Sequence, residues 1–68
     1  MNTIPNDLKI SLSAARVNAR LTQQEVAKML GVSRVTINNW ERGKTTPTVI
    51  QADKLCEIYK RPRDSIIF

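Results

Sequence analysis

The residues of this chain best fitted to chemistry lie close together, in the stretch RVTINNWERGK from Arg34 to Lys44. Arg34, Asn38, Asn39 and Arg42 carry forked hydrogen-bonding groups: a guanidinium presents donors in a fixed plane, and a carboxamide pairs a donor with an acceptor. That vocabulary suits recognition of a fixed pattern of polar atoms rather than bond making. The rest of the chain argues against catalysis. With no His and a single Cys, Cys56, neither a Ser-His nor a Cys-His pair can form. The donors for a four-ligand zinc site are also missing, and the two glycines cannot build a phosphate-cradling loop. Asp53 and Glu57 are the paired carboxylates and read as a solvated helix face beside Lys54 and Lys60. The expectation is a non-enzyme without metal, cofactor or evident small-molecule ligand.

Helices must position these residues. Ser33 can cap a helix that stops at Gly43. Immediately before it, Thr22-Gln23-Gln24-Glu25 has the pattern of a capping box, and Val26, Ala27 and Leu30 supply the apolar face of a helix ended by Gly31. An earlier helix runs from about Pro5–Asp7 to Ala19, with Leu8, Leu12, Ala15 and Ala19 at helical spacing. A later one is capped by Thr48 and Gln51 and runs from about Val49 to Lys60, with Ala52, Leu55, Cys56 and Tyr59 inward. Arg61-Pro62 ends it, because the residue before proline is pushed out of the helical region. RDSIIF has room for a last turn, and no strand-like alternation stands out. The expected fold class is all-α, a compact five-helix domain spanning residues 1–68.

On a wheel of about 100° per residue, Ile37 and Trp40 fall together with Ser33 between them, which marks the buried side. Arg34, Val35, Asn38, Asn39 and Arg42 sweep the opposite side. A helix pinned by two apolar residues and polar outside can lie in the DNA major groove. There Arg can fork onto guanine and Asn onto adenine, while Val packs on a thymine methyl. Thr22 and Gln23 at the preceding helix N-terminus, with Arg42, Lys44, Thr45 and Thr46 in the following turn, are placed to meet phosphates.

Charge supports this. The chain has 68 residues, 41% hydrophobic, with 11 Lys and Arg against 6 Asp and Glu for a net charge of +5. One small domain so basic calls first for nucleic acid and second for an anionic membrane. Between residues 16 and 44 the basic residues Arg16, Arg20, Lys28, Arg34, Arg42 and Lys44 face only Glu25 and Glu41 as acids. No apolar run reaches the roughly 18 residues of a bilayer span, and MNTIPNDLKI lacks the order of a secretory signal. With one cysteine, a reducing cytoplasm is the expected setting.

LTQQEVAKMLGVSRVTINNWERGK resembles the helix-turn-helix of the Cro/CI-type (XRE-type) transcriptional regulators of bacteria and phages. The likeness lies in T-Q at the start, Ala27, the G-V-S turn, Ile37 and Trp40, and the E-R-G-K ending. It extends from ARVNARLTQ through Pro47-Thr48 and Lys54-Leu55 to DSIIF, about residues 8–68. The resemblance implies a lambda-repressor-like fold whose third helix is the recognition helix, and binding as a homodimer to a palindromic operator. By position it makes Arg34, Val35, Asn38 and Asn39 base readers. It makes Gln23, Thr36, Arg42 and Lys44 backbone contacts, and Thr22, Ser33, Thr45 and Arg20 are expected beside them on the backbone. It further implies an ion pair from Arg16, on the first helix, to Glu41 at the end of the third. Several phage repressors of this kind carry Gln where this chain has Arg34-Val35, so their operator preference does not transfer. The KTTP turn has little positive charge beyond Lys44, so backbone affinity leans on Arg20 and Arg42.

Some residues carry plainer expectations. The phase shared by Trp40 and Ile37 assigns the indole to the core rather than to base stacking. Cys56 reads as a small core hydrophobe, and Lys60-Arg61-Pro62-Arg63 as a solvated helix end. Ile66, Ile67 and Phe68, taken as exposed, point to a dimer contact through the fourth helix, the RPRDSIIF tail, or both. Two other functions fit the same pattern: a protein-binding module of the antitoxin kind, and the DNA-binding domain of a longer regulator.

Overall fold

The computed structural model describes residues 9–68. In order these form β1 (Ile10–Ser11), α1 (Leu12–Asn18), α2 (Gln23–Leu30), α3 (Arg34–Glu41), α4 (Val49–Tyr59), a 3-10 turn (Arg63–Ser65) and β2 (Ile66–Ile67). The fold is mostly helical, with four α-helices among the described residues. The place expected for a fifth holds only the 3-10 turn.

Local chemistry sets the helix ends. At α2 the Thr22 hydroxyl accepts from the Glu25 backbone N–H at 3.1 Å, and the Glu25 carboxylate accepts from the Thr22 N–H at 2.8 Å. Thr48 and Gln51 repeat this at α4, at 3.2 and 2.9 Å. Ser33 starts α3 by accepting from the Thr36 N–H at 3.1 Å. Gly31 ends α2 in the left-handed conformation, φ 71°, and the Val32 N–H then reaches back to the Ala27 carbonyl at 3.0 Å.

Two expectations need correction. The first helix begins at Leu12, because Ser11 is its cap and accepts from the Ala14 N–H at 3.1 Å. The expected start at Pro5–Asp7, with Leu8, lies outside the described residues. The absence of strands is also corrected: β1 and β2 pair in parallel, Ile10 with Ile66 and Ser11 with Ile67. This pairing draws the tail onto the start of α1 and buries Ile66, so Ile66 belongs to the core while Ile67 and Phe68 stay exposed.

The core joins Leu12 and Ala15 of α1, Val26 and Ala27 of α2, Ile37 and Trp40 of α3, and Leu55 and Tyr59 of α4 with Ile66. Ala27 is fully buried, and its small side chain allows close approach of neighbouring elements. Trp40, Ile37, Ala52 and Tyr59 sit inward as their phase predicts. Cys56 is half-buried against the core, and burial pushes its thiol pKa up. α4 ends at Lys60 in the left-handed conformation, φ 55°, and the Arg61 N–H returns to the Cys56 carbonyl at 3.1 Å. The stop is therefore a left-handed cap one residue ahead of Arg61-Pro62.

Candidate nucleic-acid interface

α3 is held from below by Ile37 and Trp40, which leaves its other side outward. Arg34 and Val35 are exposed, Val35 strongly so. Thr36, Asn38 and Asn39 are half-buried. Thr22, Ser33, Arg42, Lys44, Thr45 and Arg20 are exposed, and Gln23 is half-buried.

The start of α2 and the outer side of α3 meet through polar contacts. Gln23 Nε2 donates to Asn38 Oδ1 at 3.2 Å and to Glu41 Oε1 at 3.0 Å, and Gln23 Oε1 accepts from Arg34 Nη1 at 3.4 Å. Behind this set, Arg16 Nε donates to Glu41 Oε2 at 2.7 Å and Arg16 Nη2 to Glu41 Oε1 at 3.3 Å. Arg16 Nη1 donates to the Leu21 carbonyl at 2.9 Å. One guanidinium thus ties α1 to the end of α3 and to the turn entering α2. The hydrogen bond with Glu41 raises the Arg16 pKa, against the opposing effect of burial.

The turn after α3 is fixed by backbone. The Arg42 N–H donates to the Asn38 carbonyl at 3.0 Å and the Lys44 N–H to the Asn39 carbonyl at 2.9 Å, with Gly43 left-handed at φ 75°. Arg42 and Lys44 therefore project from a defined turn at the end of α3. Arg20 is also left-handed, φ 62°, between α1 and α2.

Of the residues expected at the interface, the structure brings Gln23, Arg34 and Asn38 into one bonded set. No side-chain hydrogen bond among the described residues joins Arg20, Arg42, Lys44 or Thr45 to it. The bridging position of Gln23 is what the residue types alone did not reveal. An amide at the start of a helix is as ready to meet solvent or phosphate as a carboxylate on the next helix, so the sequence carried no local signal for it.

A two-helix unit with a glycine turn, an outward second helix and an ion pair locking its far end defines a helix-turn-helix protein. The helix-turn-helix family profile matches residues 12–66, and the chain belongs to that family, in its XRE-type form. It is similar to an HTH-type transcriptional regulator of Methanocaldococcus jannaschii, with 40% identity over 52 residues, 76% of this chain and 79% of the relative. No solved structure matches the chain. The family is one of DNA-binding transcriptional regulators rather than enzymes. No helix among the described residues is long and apolar enough to cross a membrane.

Proposed function

We propose that this protein is a sequence-specific binder of double-stranded DNA that represses transcription, of the phage or mobile-element kind. It acts in the cytoplasm as a homodimer on a palindromic operator. α3 enters the major groove, where Arg34, Val35, Asn38 and Asn39 read bases. Thr22, Gln23, Ser33, Thr36, Arg20, Arg42, Lys44 and Thr45 hold the sugar-phosphate backbone. An operator-bound dimer then blocks polymerase by occupying its site.

The observation that carries this reading is the pairing of an outward polar α3 with exposed basic groups beside it, Arg20 before the motif and Arg42 and Lys44 after it. Base edges meet forked side chains, and phosphates meet cations on either side. Support for the dimer comes from the exposed apolar groups of the tail, Ile67 and Phe68, with Val49 and Ile50 on α4. Two recognition helices related by a two-fold axis then enter successive major grooves roughly 34–36 Å apart.

The test is selection of bound duplexes from a random pool, followed by sedimentation of the complex with the winning sequence. An enriched two-fold symmetric sequence carrying two chains is the expected result. Enrichment of no sequence over random duplex overturns the reading, and tight capture of one co-expressed protein in place of DNA would favour the antitoxin-like alternative.

A further inference from the structure

One cation ties the tail to the outer side of α4. Arg63 Nη1 donates to Asp53 Oδ1 at 3.0 Å, and the Arg63 guanidinium lies 5.7 Å from the centre of the Phe68 ring. On α4, Val49 and Ile50 stand four and three residues before Asp53, spacings that set them beside it on the helix surface. A strip therefore runs from Val49 and Ile50 through Asp53 and Arg63 to Phe68. Every member is exposed, Val49 and Ile50 by 65% and 69%. None of them belongs to the proposed set of DNA contacts.

The order of chemistry along the strip is apolar, acid, base, apolar. A two-fold axis lying in the surface and crossing the strip between Asp53 and Arg63 turns this order end for end. Acid then meets base, and the apolar pair at one end meets the aromatic ring at the other. Such a patch is complementary to itself, which is what a two-fold interface between identical chains requires. The charged groups also have capacity to spare. A carboxylate offers two oxygens and a guanidinium five N–H donors. Among the described residues the Asp53–Arg63 contact uses only Oδ1 and Nη1 in side-chain hydrogen bonds. The pair can keep its internal bond and still engage a second pair, and it is more than a lone surface bridge only if one arrives.

We propose that a second copy of this chain docks on the strip Val49, Ile50, Asp53, Arg63 and Phe68, each Arg63 donating to the partner's Asp53 as well as to its own. The inference rests on the homodimer proposed above and assigns its contact surface and orientation. Arg63 is the positioning residue of that surface, because it holds Phe68 in line with Asp53. The strip is small, so free protein is expected to associate weakly, with a Kd between about 10 μM and about 1 mM.

The experiment is sedimentation equilibrium of free protein with reversed charges. Asp53→Arg makes the middle of the strip wholly basic, and Arg63→Asp makes it wholly acidic. Each variant alone should dimerise at least about tenfold more weakly than wild type, because like charges face each other across the axis. An equimolar mixture of the two should form a heterodimer within about threefold of the wild-type Kd. Both chains of that mixture still lack the internal ion pair, so recovery there can come only from contact between copies. Helical circular dichroism equal to wild type shows that the exposed substitutions leave the fold in place. Wild type that stays monomeric up to about 1 mM overturns the proposal. So does undiminished dimerisation of either variant alone, or a mixture no tighter than its components. No DNA is present in this measurement, so its failure leaves the reading of bases by α3 standing, and selection of duplexes that enriches no sequence overturns that reading without touching this one.

Discussion

Arg16 and Glu41 form a bidentate ion pair between α1 and the last residue of α3, with Nε to Oε2 at 2.7 Å and Nη2 to Oε1 at 3.3 Å. The Glu41 side chain is 7% exposed and the Arg16 side chain 17%, so solvent screens the pair little. Forming such a pair costs desolvation, but removing one partner strands the other charge in poor solvent. Arg16→Met and Glu41→Gln are each expected to lower stability by on the order of 2–4 kcal/mol. The double variant should lose less than the sum, with a coupling of at least about 1 kcal/mol. Urea unfolding of the four proteins measures this, and strictly additive losses would show that the two groups do not depend on each other.

The left-handed cap of α4 invites a gain. Lys60 has φ 55°, a conformation that costs an L-residue about 1–2 kcal/mol and glycine almost nothing. Glycine returns part of that through the greater freedom of its unfolded chain, about 0.4–1 kcal/mol. Lys60→Gly should therefore stabilise the domain by about 0.5–1 kcal/mol, while Lys60→Ala should not. Thermal midpoints of the two variants decide it, and a lower midpoint for Lys60→Gly would refute the strain.

Tyr59 sets an alkaline limit. Its phenol lies in the core and burial pushes its pKa up to about 12 from an ordinary value near 10. A pKa raised in the folded state means that the unfolded chain releases its proton first. The contribution is thus complete below pH about 10 and is lost as pH rises toward about 12. Stability should fall by on the order of 1–2 kcal/mol across that window, less than the full shift allows because the core relaxes around the phenolate. Tyr59→Phe should flatten that part of the curve; a variant that falls as steeply as wild type would assign the loss elsewhere.

What could be read from the sequence was what is decided locally. The Thr22–Glu25 and Thr48–Gln51 boxes and the Gly31 turn involve residues within a few positions of one another, and the buried phase of Ile37 and Trp40 follows from helical spacing. The pairing of Ile10 with Ile66 joins two-residue strands from opposite ends of the described chain, too short for any alternation to appear. Ile66 therefore looked like part of an exposed tail although it fills the core. Lys60 was hidden for another reason, since nothing in a lysine announces a left-handed backbone. At the candidate site the polar side of α3 was legible, and the Arg16–Glu41 link came from the family resemblance. The bridge made by Gln23 depends on where α2 docks against α3, which only the three-dimensional arrangement supplies.

The two kinds of DNA contact proposed here should separate under salt. Arg34 is exposed on the first turn of α3, where the proposed seating in the major groove brings side chains to base edges, while Lys44 projects from the turn that follows the helix, where the same seating brings the sugar-phosphate backbone. A cation on a phosphate releases counterions whatever the sequence, so Lys44→Ala should weaken binding to operator and scrambled duplex alike. It should reduce the slope of log K against log salt by about 0.9 for each Lys44 side chain in the complex. Arg34 forked onto a guanine makes a contact that a scrambled duplex lacks. Arg34→Ala should cost about 1–3 kcal/mol on the operator and much less on scrambled DNA, with the greater part of the loss surviving at high salt. Arg42→Ala is expected to follow Lys44, and Asn39→Ala to follow Arg34 with a smaller loss. Titrations of these variants on both duplexes at several salt concentrations give the slopes and the ratios together. If Arg34→Ala left the operator-to-scrambled ratio unchanged, α3 would be bound by charge alone and would not read bases.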